Sequence, residues 1–148
     1  MYSEDDYKRL YKYFAKADGG HDHAKAVNKL SDKFDDISND ESLSEDDKEE
    51  KRIEILSKMK VETSLDTIHA IKKMLICKYV NIICIISGLF WLSFDFFQNE
   101  SLSTFISAIG LAICILCYLD TVHRLTFLKN DFVELNKELL ESMKQKQF

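Results

Sequence analysis

Proline is absent, and glycine occurs four times in 148 residues, two of them adjacent at Gly19 and Gly20. Little remains to interrupt a helix, so the chain is predicted all-α. Lysine and arginine are missing from Tyr79 to Leu119, where Asp95 and Glu100 are the only charges. A soluble helix keeps one wet, charged face. A stretch this long without such a face is predicted to lie in lipid. Also missing are a glycine-rich phosphate loop, a nucleophile elbow and a framed carboxylate pair. The expectation is therefore no enzyme, no catalytic residue and no cofactor. The net charge of -5 includes no strongly basic segment, which argues against nucleic acid as a partner.

What is present is strong segregation. The chain is densely charged over 1–78 and 120–148 and apolar between them. Ser101 to Leu119 is a run of 19 residues without a charge, roughly 28 Å as a helix and close to bilayer thickness. Tyr79 to Phe94 is shorter, but Phe96 and Phe97 suit an interface and Lys78 can snorkel. Trp91, Tyr79 and Tyr118 fit aromatic belts. The fold expected is a two-span transmembrane helical hairpin, extended by cytoplasmic helices and carrying a small N-terminal helical segment. Its partner is the lipid bilayer.

The divisions follow from caps and composition. Residues 1–37 form an N-terminal cytoplasmic helical segment and 38–44 a linker. Residues 45–78 form a cytoplasmic helix leading into the membrane, with a possible break near Thr63 or Ser64. Residues 79–97 and 102–120 are the spans, 98–101 the outer loop, and 121–148 a cytoplasmic C-terminal helix. Ser3 with Asp6 reads as a capping box, Gly19 as a helix stop, Ser44 as an N-cap, and Ser101 as a cap paired with Thr104. The acidic, amphipathic start "MYSEDDYKRL" predicts no signal peptide. Lys72, Lys73 and Lys78 precede the first span, Arg124 and Lys129 follow the second, and the loop holds no basic residue. Both termini are therefore expected in the cytoplasm.

Tyr7, Leu10, Tyr11 and Phe14 make one apolar stripe, and Val27, Leu30, Phe34 and Ile37 another. They are expected to pack together or on a cytoplasmic protein partner reached through residues 1–60. Leu125, Leu128, Phe132, Leu135 and Leu139 recur at heptad steps, a seam opposed by Val61, Leu65, Ile68 and Leu75 in an antiparallel pair or used in self-association. Lys78 and Asp120 stand about equally far from the turn and are expected to meet at the membrane boundary. Within the spans Ser103, Ser107, Gly110, Ser87 and Gly88 are small, and Asn81 is strongly polar. This set is the candidate interface for a homo-oligomer, since close packing drives association in lipid.

No metal site is expected. Cys77, Cys84, Cys114 and Cys117 lie in or beside the spans, where a thiolate is disfavoured, so they read as small apolar filling. Cys77 is a candidate for acylation only in a eukaryotic source. His21 and His23 would point apart on a helix and have no third ligand in a recognisable pattern. His69 and His123 read as interfacial or packing residues.

Two adjacent spans, a short outer loop and the segment "HRLTFLKNDFVELNKEL" from His123 give an architecture similar to the SLATT class of small bacterial proteins. The resemblance covers residues 70–148, and residues 1–60 are additional to it. It implies a bacterial inner-membrane protein acting as a membrane-disrupting effector of anti-phage defence, controlled here through its cytoplasmic part. The alternative carried with it is a non-catalytic membrane anchor, adaptor or immunity subunit.

Overall fold

The computed structural model describes Tyr2 to Lys146; the outermost residues of the first and last predicted segments, Met1, Gln147 and Phe148, lie outside the described residues. The fold is all-α: α1 (Glu4–Ala17), α2 (His23–Asn39), α3 (Glu45–Phe97), α4 (Ser101–Leu135) and α5 (Lys137–Gln145). Two compact units divide it. One comprises the described part of residues 1–70 and 129–148, and the other residues 71–128.

In the first unit the caps act where the chain carries them. Ser3 and Asp6 close a capping box on α1, and Asp22 caps α2 by accepting from Lys25 N at 3.1 Å. Ser44 Oγ accepts from Asp47 N at 3.2 Å at the start of α3. The stop after α1 differs from expectation. Asp18 is the C-cap, and Gly20 rather than Gly19 takes the left-handed conformation, at φ 72°. That φ costs glycine little and most residues much more.

α3 runs without a break. Thr63 and Ser64 do not start a new helix. Ser64 Oγ donates to Lys60 O at 2.8 Å and Thr67 Oγ1 to Thr63 O at 2.8 Å, so hydroxyls that could cap elsewhere are satisfied along the helix. The C-terminal segment does break. Asn136 N turns to Val133 O, and its side-chain amide takes the Phe132 carbonyl that its own N–H would have taken, at 2.9 Å. The break shifts the phase of α5 relative to α4. Leu140 is buried, while Leu139, the predicted end of the seam, is half-buried.

The core of this unit brings both ends of the chain together. Tyr7, Leu10 and Phe14 of α1 are buried with Ile55, Leu65 and Ile68 of α3, Phe132 and Val133 of α4, and Leu140 of α5. Phe132 receives Phe14 edge-on at 5.7 Å between ring centroids and Tyr7 at 6.0 Å. So the α1 stripe packs on the C-terminal helices, and Phe132 serves that core instead of self-association. Burying Phe14 and Phe132 contributes roughly 2 to 3 kcal/mol each. Inside this apolar core Asn136 Nδ2 donates to Ser64 Oγ at 2.9 Å. Around the rim Lys144 pairs with Asp6 at 2.8 Å, and Lys129 reaches Glu4 at 3.3 Å while lying 4.7 Å from the Tyr7 ring centre.

The second unit is a hairpin of residues 71–97 of α3 and 101–128 of α4. Its turn is Gln98–Glu100, with Asn99 at φ 56°, a conformation asparagine tolerates better than most residues. Ser101 is the first residue of α4 rather than its cap, and the Glu100 backbone carbonyl accepts from Thr104 N at 2.9 Å and from Thr104 Oγ1 at 2.8 Å. Two helices here are long and apolar enough to cross a membrane. No residue of the most apolar stretch of α3 is buried, and only 6% of that of α4.

Candidate functional site

The hairpin faces inward along two heptad-spaced rows. Asn81, Ile85, Gly88, Leu92 and Asp95 of α3 are half-buried or buried, as are Thr104, Ser107, Leu111, Cys114, Tyr118 and Thr121 of α4. Polar groups lie in these rows. Asn81 Nδ2 donates to Thr121 Oγ1 at 3.0 Å, and Ser107 Oγ donates to Asp95 Oδ2. A Cβ on Gly88 would stand 3.2 Å from Leu111 Cδ1, so glycine permits close approach there. The outward rows are apolar, with Phe97 84% and Leu102 73% exposed. In water such a surface would aggregate; in lipid it is matched.

The predicted small-residue interface therefore divides. Asn81, Ser107 and Gly88 are engaged between the two helices of one chain. Ser103 is half-buried, and Ser87 and Gly110 are exposed, with nothing within 4 Å of a Cβ placed on Gly110. Lys78 and Asp120 are not an ion pair among the described residues. Asp120 Oδ2 instead bonds Arg124 Nε at 2.9 Å one turn along α4, because a same-helix partner four residues away is always within reach. The expected cysteine filling is also partly wrong, since Cys77, Cys84 and Cys117 face outward and Cys114 is half-buried. Of the seam, Leu125 is buried in the second unit and Leu128 half-buried. Phe132 is buried in the first unit, with Leu135 and Leu139 half-buried.

The densest chemistry lies in the first unit, at the junction of α1 and α2 and on one face of α3. His23 is the first residue of α2, and its side chain has no exposed surface. Its Nε2 lies 2.9 Å from Asp18 Oδ1 and its Nδ1 2.5 Å from Glu62 Oε2. His69 Nε2 lies 3.0 Å from the other Asp18 oxygen, Oδ2. His21 Nε2 lies 3.1 Å from Glu62 Oε1. Ring centres are 4.3 Å apart for His21 and His23 and 5.0 Å for His23 and His69.

The local sequence explains this convergence. His21 precedes the Asp22 cap, so it is not on the helix and does not point away from His23 as helical spacing required. A Cβ on Gly19 would lie 3.2 Å from His21 Nδ1, and Gly20 N donates to Asp18 Oδ1 at 3.0 Å. The glycine pair thus lets the chain reverse tightly and fixes the Asp18 carboxylate. Glu62 and His69 are seven residues apart, two turns along one face of α3.

The protonation balance follows from these contacts. Burial disfavours charge on His23, but the bonds to Glu62 and Asp18 outweigh it and the net shift of its pKa is upward. Asp18 is held well below the usual carboxylate range, first by His69, then by the Gly20 N–H and His23. Burial pushes Glu62 up, yet His23 and His21 together bring it below its ordinary value.

Sequence reasoning missed this cluster, as well as the Ser64–Asn136 and Asp95–Ser107 bonds. Two of its five members, Glu62 and His69, come from α3, well beyond the His21–His23 pair in sequence, and no local spacing marks them. The chain matches no family model, and no curated protein and no solved structure shows significant similarity to it.

Proposed function

We propose that the chain is a non-catalytic, two-pass integral membrane protein that associates with further copies in the bilayer and perturbs it, under control of its cytoplasmic unit. The carrying observation is the hairpin's polarity. Asn81 with Thr121 and Ser107 with Asp95 turn toward each other, its outer rows are mainly apolar, and Gly110 offers an open place on α4 for close helix approach. The first unit supports the two-pass reading, because Phe14 and Phe132 pack together in one core. Segments before and after the hairpin must then share one side of the membrane, as an even number of spans requires. The basic flanks favour the cytoplasmic side of a bacterial inner membrane. The SLATT-like architecture, with its role in anti-phage defence, points to the same action.

The test is membrane potential on expression, followed with a potential-sensitive dye. The parent protein is expected to depolarise the host when triggered in its native context. Gly110→Leu adds bulk and keeps the span apolar. It should reduce crosslinked oligomer size and abolish depolarisation at unchanged protein level and unchanged outside labelling of a cysteine placed at Asn99. A parent protein that leaves the potential intact sinks this reading.

A second reading, membrane anchor or adaptor, is favoured by one observation. Asn81, Ser107 and Asp95 are satisfied within the chain, leaving none of these groups aimed outward to line a pore. It predicts no depolarisation, and capture of a cytoplasmic partner that is lost on deleting residues 1–44.

A further inference from the structure

The geometry points to a divalent transition-metal site of the zinc class formed by Asp18, His23 and His69, with Glu62 orienting His23. This inference stands on the first unit alone and is independent of what the hairpin does in the bilayer.

Three features carry it. Two imidazole nitrogens from different elements, Nε2 of His23 and Nε2 of His69, converge on the two oxygens of one carboxylate, at 2.9 and 3.0 Å. The three ligand atoms lie within 4.8 Å of one another. A tetrahedral ion with bonds near 2.0 to 2.1 Å sets its ligand atoms roughly 3.3 Å apart, a value that lies between the 2.9 Å contact and the 4.8 Å limit on the separations here. Second, the far nitrogen of His23 is already committed, with Nδ1 at 2.5 Å from Glu62 Oε2. A metal-bound histidine is commonly held this way, because a carboxylate on the other nitrogen fixes the tautomer and leaves Nε2 free to bind. Third, the His23 side chain is fully buried, while those of Asp18 and His69 are 20% and 36% exposed. One wall of the site is dry and the other open for entry and for a further ligand.

The donor set selects the ion. Two imidazoles and one carboxylate suit zinc and its neighbours, whereas magnesium and calcium prefer all-oxygen shells. With both imidazoles neutral, the carboxylates of Asp18 and Glu62 balance a doubly charged cation. A mirror arrangement uses His21, Glu62 and the opposite nitrogen of His23. It is disfavoured because the His21 side chain is 52% exposed and holding it still costs rotamer freedom. Bound there, the ion would also leave Asp18 as the orienting group while His69 had no role.

The experiment uses full-length protein in detergent micelles, stripped with a chelator and titrated with Zn2+ against a chromophoric competitor. Co2+ replaces Zn2+ for visible spectroscopy. One Zn2+ per chain is expected, with intense Co2+ bands of low-coordinate geometry and no competition from Mg2+. His69→Gln should weaken Zn2+ at least about 100-fold and Glu62→Gln about 10-fold, while helicity is retained. His21→Ala should change affinity by less than about 3-fold, as loss of an exposed rim group should. If His69→Gln fails to fold, Asp18→Asn replaces it, since its amide oxygen still accepts from Gly20 N while the negative charge facing the ion is lost. The inference is overturned by absence of stoichiometric Zn2+ binding, by unchanged affinity in the folded His69→Gln or Asp18→Asn protein, or by His21→Ala being the change that abolishes binding.

Discussion

The two units use the same helix in opposite ways. Around Phe132 the apolar side chains point in and the charges point out, with Asp6, Glu4, Lys129 and Lys144 paired at the rim. In the hairpin Asn81, Asp95, Ser107 and Thr121 point in, while Ile83, Phe90, Leu102 and Phe105 point out. Both arrangements put the minority chemistry where the surroundings cannot supply it. Water pushes apolar groups together in one unit. Lipid around the apolar outer rows of the other would give no such drive, and close packing and hydrogen bonds would then hold the helices. Each unit contains an amide–hydroxyl pair among its described residues, Asn136 with Ser64, which is buried, and Asn81 with Thr121, which is part-buried. The same kind of bond thus recurs in a unit with charged surroundings and in a hairpin with apolar outer rows.

Three perturbations sharpen this contrast. The largest is Phe132→Ala. It removes the ring that receives Phe14 and Tyr7, and it should cost the first unit about 3 to 5 kcal/mol. Urea unfolding monitored at the aromatic residues should shift accordingly, while protease protection of the hairpin in detergent stays unchanged. Loss of both together would show that the hairpin depends on the aromatic core.

Next comes the pair of matched deletions. Ser64→Ala leaves the Asn136 amide short of one partner in a dry core and should cost about 1 to 3 kcal/mol. Thr121→Val removes the equivalent partner from Asn81 and should cost about 0.6 kcal/mol, because an unfolded span finds other partners in the membrane. Denaturant titration reads the first, and steric trapping of the hairpin in bilayers reads the second. Equal costs would contradict the solvent argument.

The smallest effect is a pH dependence confined to the first unit in chelator. The groups facing one another are Asp18, His21 and His23 from the α1–α2 junction, and Glu62 and His69 from α3. The pKa of His23 lies above its ordinary 6.5. Its contribution is therefore complete below that pH and is lost as pH rises through the folded-state value. The values of Asp18 and Glu62 lie below their ordinary 3.8 and 4.5. Their contribution is complete above those values and lost on acidification through the folded-state ones. The unfolding midpoint should be highest between roughly pH 4.5 and 6.5 and decline on either side. Tyr7, pushed up to about 12 by burial, stays protonated throughout that range. A midpoint that rises between pH 7 and 9 would refute the assignment.

The parts legible beforehand were those governed by nearest neighbours along the chain. Ser3 and Ser44 sit at helix starts because an oxygen side chain must meet free N–H groups there. The apolar runs declare their length whatever they pack on. What stayed hidden depended on partners distant in sequence, or on a single residue choosing between local bonds. Asn136 looks like one more polar helix position until its amide takes the Phe132 carbonyl. Nothing within twenty residues of His23 signals Glu62 or His69. Lys78 and Asp120 show the converse error. Equal distance from a turn suggested a pair, and an arginine one turn away from Asp120 decided otherwise.

The joining of the chain's two ends in one core also sets a schedule for its synthesis. Phe14 leaves the ribosome 118 residues before Phe132, an interval of roughly 6 to 24 s at ordinary elongation rates. Throughout that interval α1 lacks its aromatic partner from α4, and both spans emerge before that partner does. The ring of Phe14 therefore waits for its partner until the C-terminal segment is made. Of the two rings that meet edge-on in this core, Phe14 is made first and waits for Phe132.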